Sequence, residues 1–176
     1  SKLGGDDFDS IVQSLVGKKF KEAAGKEMDL EDYTKNEAEE DKKSLSKKEK
    51  CSLRISRVSI EITRHEFEEA ISSLISQTEM LCETTLLEAD LSTNDIKGIF
   101  MVGGSTRVPC VRESVLKVFK KEPITSANVD EVVALGAAIY AAYKSDRTKL
   151  SAIQKKSVDK VKVSEMTGSC FGIISS

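Results

Sequence analysis

Two adjacent glycines, Gly103 and Gly104, end the apolar run Ile99-Phe100-Met101-Val102 and lead into Ser105-Thr106-Arg107-Val108-Pro109. That order is compatible with few folds. The short apolar run reads as a strand and the glycines as a tight corner. Pro109 suits the first position of a helix, where its missing N–H costs nothing. Glycine lets a bound group approach the backbone and permits a positive φ. The first N–H groups of the new helix lack helical partners and favour an anion. The stretch predicts strand, corner and helix around the phosphates and base of a nucleotide.

Size bounds the rest. The 176 residues suffice for one domain or two small ones. Hydrophobic content of 39% and charged content of 32% fit a globular chain with a real core. A net charge of −2 gives no basic footprint for nucleic acid. No apolar run approaches the ~18 residues of a membrane span. The opening Ser1-Lys2-Leu3-Gly4-Gly5 is not a signal peptide, and it looks like a cut through something larger. Cys51, Cys82, Cys110 and Cys170 are scattered with no CxxC pair, as expected of free thiols in the cytoplasm or another reducing compartment. His65 is the single histidine and fits a surface position at a helix start.

Along the chain, Phe8, Ile11, Val12, Leu15, Val16, Phe20 and Ala23 fall at helical spacing and predict a helix from about Asp7 to Ala24, closed by Gly25. Gly4 and Gly5 stand ahead of it, either as backbone open to a ligand or as a flexible start with an Asp cap. A polar helix is expected from Leu30 to Ser46, with Glu39 spaced to pair with Lys43 or Lys42. Lys42 and Ser46 lie one turn apart on a face that is either solvated or turned to a ligand. Residues 51–55 and 58–62 alternate and predict a hairpin. Thr63-Arg64-His65-Glu66 has the form of a capping box opening a long helix. Its stripe of Phe67, Ala70, Ile71, Leu74, Ile75, Thr78, Leu81, Cys82, Thr85 and Leu86 reads as core. The run from Ile96 to Val102 predicts a strand covered on both faces, and residues 123–126 another extended piece. Val111, Val115, Leu116, Val118 and Phe119 mark the helix after the corner. A further helix starts near Asp130-Glu131, capped by Asn128, with Val132, Val133, Leu135 and Ile139 inside and Gly136 thinning it for close packing. From Lys144 the chain turns polar, as a frayed end or linker. The mixture indicates α/β or α+β architecture.

A self-sufficient catalyst is not visible. There is no GxxxxGK[ST], no GxGxxG after a strand and no GxSxG elbow. Ser105 has only His65 as a possible histidine partner. No catalytic residue and no metal ligand is assigned.

Several segments are recognisable together. Leu3-Gly4-Gly5-Asp6-Asp7-Phe8-Asp9 resembles the LGGEDFD segment of Hsp70 chaperones of the DnaK/HscA type. Residues 39–46 resemble their ExxKxxLS adenosine-contact helix, and Val102 to Pro109, VGGSTRVP, is a highly specific Hsp70 segment. Residues 128–138 resemble NPDEAVAxGAA, and residues 165–173 resemble DVTPLSLGI at the entry to the peptide-binding domain.

The resemblance implies an actin-like ATPase fold of α/β class, here its second lobe only, with a helix and hairpin outer subdomain at 1–70. An inner subdomain at 71–147, a linker at 148–164 and a peptide-domain stub at 165–176 would follow. It implies that Gly103, Gly104 and Ser105 approach phosphates and ribose, and that Arg107 and Val108 flank adenine. Glu39, Lys42 and Ser46 would contact ribose and base, Gly5 and Asp6 line the cleft, and Asp130 the base pocket. Lys43 stands where many relatives stack an Arg on adenine, offering charge and an alkyl stem without a planar stack.

Other departures are Asp6 for Glu, Val129 and Gly168 for Pro, and a Val161-Lys162-Val163 linker less hydrophobic than the leucine-rich norm. The short hairpin and residues 123–126 look more like the bacterial branch devoted to iron–sulfur cluster assembly. The implied ligand is ATP or ADP, with Mg2+ expected only alongside the family's first lobe, which this chain lacks together with its catalytic lysine and acids. Implied partners are a nucleotide-exchange factor on the outer subdomain and, for the full-length parent, a J-domain co-chaperone and unfolded peptides, with no nucleic acid and no membrane. The alternatives are a nucleotide-independent module binding exchange factors or chaperones, and half of an actin or sugar-kinase relative.

Overall fold

The computed structural model describes residues 4–29, 31–124 and 131–160. Asn128, Asp130, Cys170, the 161–163 linker and the 165–176 stub lie outside them. The chain divides into one unit ending at Asp130 and another from Glu131 onward.

In the first unit, α1 (Gly5–Ala24) buries Phe8, Val12, Val16 and Phe20. Gly25 closes it at φ 70°, its N–H donating to the Lys21 carbonyl. The helix begins earlier than the apolar stripe alone predicts. Gly5 is its first residue, and the acidic cap works from the third turn position: Asp7 Oδ2 accepts from the Gly4 N–H at 2.9 Å.

Helix α2 (Lys35–Leu45) is shorter than the expected Leu30 to Ser46. Thr34 starts it, accepting from the Glu37 N–H while Glu37 accepts from the Thr34 N–H at 2.7 Å. That box outweighs the weak apolar pattern before it. Leu30 itself lies outside the described residues.

The hairpin forms as expected, β1 (Lys50–Ile55) pairing antiparallel with β2 (Val58–Thr63) in the register Cys51↔Ile62, Leu53↔Ile60, Ile55↔Val58. Its turn places Ser56 at φ 46° and Arg57 at φ 70°. Helix α3 (Arg64–Glu88) opens on the Thr63–Glu66 box. Its first half is core through Phe67 and Ile71, and Phe67 meets Phe8 edge to face at 6.1 Å. Its second half is not: Thr78, Leu81 and Thr85 are exposed, which corrects the reading of the whole stripe as core. His65 is exposed at the helix start, as its position suggested.

The strand expected at 96–102 is also corrected. A single parallel bridge joins Phe100 to Ile124, and Phe100 is 62% exposed. A strand buried on both faces needs a sheet with elements packed over each face, and among the described residues this run makes one isolated bridge. The corner itself forms. Residues Gly104–Arg107 make a 3-10 turn, and α4 (Pro109–Phe119) follows with Pro109 at its first position. Helix α4 lies on α3, where Lys117 Nζ and Ser114 Oγ reach Glu79 at 2.7 and 3.0 Å. Cys51, Cys82 and Cys110 are free thiols, and burial pushes Cys110 up to about 11.

In the second unit, α5 (Val132–Lys144) packs against α6 (Ala152–Val158), which Ser151 and Gln154 cap reciprocally. The expectation that α5 keeps its apolar residues inside does not hold. Val133, Leu135 and Ile139 are exposed, and a Cβ on Gly136 would meet open space among the described residues. No helix among the described residues is long and apolar enough to cross a membrane.

Candidate functional site

An open cleft of about 1060 Å³ lies in the first unit, between the start of α1, one face of α2 and the glycine corner. Gly5, Asp6, Glu39, Lys42, Lys43, Ser46, Gly104, Ser105, Arg107 and Val108 all line it. Of the residues singled out from sequence, Gly103 is adjacent without lining it, and Asp130 lies outside the described residues.

Each wall has a local cause. On α1, Gly5 carries no Cβ to fill the floor. A Cβ there would sit 3.4 Å from both Lys42 Nζ and Ser105 Oγ, so the two glycine-rich segments meet face to face. Asp6 leans outward, its carboxylate 3.2 Å from Lys35 Nζ.

On α2, the expected Glu39–Lys43 pair forms at 3.1 Å, with Glu40 also on Lys43 at 2.8 Å. The hydrogen bonds that Lys43 donates to the Glu40 and Glu39 carboxylates push its pKa up. Lys42 does not pair with Glu39. Its Nζ is 2.6 Å from Asp9 Oδ1 on α1 and 3.4 Å from the Gly5 carbonyl. One turn on, Ser46 caps the helix end with its hydroxyl on the Lys42 carbonyl at 3.0 Å.

The corner is set by Gly103, at φ 97° and ψ 158°, a backbone region essentially restricted to glycine. Thr106 ties the turn by donating from Oγ1 to the Gly103 carbonyl at 2.6 Å. Val108 then drops into the core beside Phe8 and is 2% exposed. The backbone N–H groups of Gly104 and Ser105 make no hydrogen bond among the described residues. They are donors held at the cleft edge, as an anion requires.

Gly4, read with Gly5 as backbone open to a ligand, also lines the cleft, and sequence reading missed Asp9 and Lys47, which line it too. Asp9 was detectable in principle: it stands four residues after Gly5, on the same helical face. It is 4% exposed, the buried carboxylate of this core.

The arrangement can bind. It presents backbone donors, cations and a paired carboxylate around a volume suited to a mononucleotide. His65 stands at the start of α3 and does not line the cleft. Among the described residues no cluster of His, Cys, Asp or Glu is arranged to hold a metal ion.

The family model described as Hsp70 protein matches residues 1–172. The chain belongs to the Hsp70 family. With that come the family's actin-like ATPase fold and a chaperone relationship. The Hsp70 relatives include the chaperone protein HscA of Buchnera aphidicola subsp. Schizaphis graminum, 39% identical over 90% of this chain and 25% of the relative. An HscA homolog of Histophilus somni is 40% identical over 79% of this chain and 22% of its own length. HscA of an Enterobacter species is 37% identical over 80% and 23%. The chain thus spans about a quarter of the curated Hsp70 relatives it matches.

Proposed function

We propose that residues 1–147 act as the second lobe of an Hsp70 ATPase domain and cradle the adenosine and phosphates of ATP or ADP. The observation that carries this reading is the meeting of Gly5 and Ser105 across one cleft, with Lys42 between them. The VGGSTRVP corner supplies phosphate donors through the free N–H groups of Gly104 and Ser105, and Arg107 and Val108 offer the base a charged and an apolar surface. Glu39, Lys42, Lys43 and Ser46 face the sugar and base from α2.

Residues 1–70 would be the outer subdomain, and the place where a nucleotide-exchange factor holds. Residues 71–147 would be the inner subdomain, 148–164 the linker, and 165–176 the entry to a peptide-binding domain. The bacterial branch named from the sequence is kept in this reading, alongside the similarity to HscA chaperones. Partnership with a J-domain protein and with peptide clients belongs to the full-length parent.

The donors described here suit phosphate, but they do not make a magnesium site. In this reading the chain alone binds nucleotide and hydrolyses none. Calorimetry tests this: ADP should bind with a Kd of about 0.1–1 mM, and incubation with ATP should release no phosphate. Absence of heat at millimolar ADP, with an exchange factor still bound, would replace this reading by a nucleotide-independent module.

A further inference from the structure

A second cavity, of about 170 Å³, lies between α3 and α4. Leu74 and Ile75 of α3 and Val111, Val115 and Val118 of α4 form its walls, and Phe8 and Phe119 add aromatic surface. The valines are half-buried, and their short side chains leave the space between the helices unfilled. Its polar groups are already engaged. Thr78 Oγ1 donates to the Leu74 carbonyl at 3.0 Å, and Ser114 Oγ donates to Glu79 Oε1 at 3.0 Å. The other Glu79 oxygen is 2.7 Å from Lys117 Nζ. Among the described residues, the one buried side-chain polar atom without a hydrogen bond is Asp9 Oδ1, which belongs to the cleft and not to this cavity.

The geometry points to a binding site between α3 and α4 for one small, uncharged aromatic molecule of the size of toluene. The inference is independent of the nucleotide reading. A water molecule in a cavity needs two to four polar partners, and these walls hold none in reserve. An apolar cavity of about 150 Å³ stays dry and accepts benzene, so this volume fits a single six-membered ring. Phe8 and Phe119 offer such a ring edge or face contacts that an aliphatic chain cannot use. A charged molecule finds no group here left to pair with it, and its desolvation goes uncompensated. Thr78 is exposed at the rim and gives a way in. Cys82 stands in the same wall as a half-buried free thiol, so it reports whether the cavity is filled. Burial, with the Glu79 and Glu83 carboxylates, pushes that thiol's pKa up.

The test uses the whole chain without nucleotide, with toluene as the probe. Saturation-transfer NMR should show toluene bound with a Kd of about 0.1–1 mM. Alkylation by N-ethylmaleimide, read by peptide mass spectrometry, should slow at Cys82 by at least about threefold when toluene is in excess over its Kd. Cys110 lies outside the lining, and its rate should not change. Benzoate, the same ring with a charge, should neither bind nor protect. Val115→Phe places a ring of the chain's own in the space and should abolish both signals. If that variant fails to fold by circular dichroism, Val115→Ile/Val118→Ile takes its place and should weaken toluene by at least about fivefold. Toluene that leaves Cys82 unprotected overturns the proposal, as do equal protection by benzoate and undiminished binding in a folded variant. With no nucleotide present, none of these outcomes bears on the cleft, and a wild type that binds no ADP leaves this site standing.

Discussion

Gly5 and Ser105 lie far apart in sequence, yet a side-chain carbon on Gly5 would stand 3.4 Å from the Ser105 hydroxyl. The floor of the cleft exists because one residue has no side chain. Gly5→Val should lower ADP affinity at least about tenfold, equivalent to about 1.4 kcal/mol, by filling that floor. The added group would press on Lys42 Nζ and Ser105 Oγ, so the thermal midpoint should fall as well, whereas Gly5→Ala, whose Cβ stays at ordinary contact distance, should leave the midpoint nearly unchanged. Calorimetry alongside thermal unfolding separates the two effects.

Gly103 and Gly104 are adjacent but have different reasons to be glycine. Gly103 holds φ 97°, so Gly103→Ala should cost about 1–3 kcal/mol of stability through backbone strain. Gly104 has an ordinary φ and open space where a Cβ would go. Gly104→Ala should leave denaturant stability within about 0.5 kcal/mol and weaken ADP binding. Equal unfolding midpoints for the two variants would contradict the assignment of strain to Gly103.

The hairpin turn offers a stabilising change. Arg57 sits at φ 70° and Ser56 at φ 46°, a pair of left-handed positions without a glycine. Ser56 also donates to Asp32 Oδ1 at 2.8 Å, so it is best kept. Arg57→Gly should raise stability by about 1 kcal/mol, read as a shift in urea midpoint at constant slope.

Two carboxylates give pH dependences of opposite sign. Lys19 Nζ, 2.6 Å away, holds Glu66 down at about 2, and the Thr63 N–H and hydroxyl assist. Its folded value lies below the unfolded value of about 4.3. The stability it contributes is therefore full above that value and lost as pH falls toward about 2. Burial pushes Asp41 the other way, despite the hydrogen bond it accepts from Tyr33 at 2.7 Å. The Asp41 contribution is greatest below its unfolded value and fades as pH rises through the folded one. Urea midpoints of Glu66→Gln and wild type should converge between about pH 5 and pH 2, whereas an Asp41→Asn difference should change in the opposite sense over the same range.

What could be read from sequence was what neighbours in sequence decide. The Thr63–Glu66 box, the Gly25 stop, the Pro109 start and the paired strands at 51–62 rest on a few adjacent residues, and each formed. Lys42, Ser46 and the corner were legible from helical spacing and a glycine pair, whereas Glu39, Lys43, Arg107 and Val108 came with the Hsp70 resemblance. The boundary of α2 was not, since the Thr34 box competes with a vague apolar pattern upstream. Burial of the 96–102 run and of α5 was not either. Apolar residues state what they would cover, but only a partner element can cover them, and Phe100 and Val133 remain exposed. Asp9 was missed because one acid on an apolar stripe looks like a solvated residue until the lysine that meets it, on another helix, is known.

Val108 has two allegiances: it borders the cleft, and it is sealed in the same core as Phe8 and Phe67. The mouth of the site is therefore hinged on a buried isopropyl group. Widening it to admit a bulkier guest means exposing that group to water, at about 1.5–3 kcal/mol. The aperture is a packing dimension, and substituents on the base or sugar should be tolerated or refused according to whether they fit without extracting this one plug.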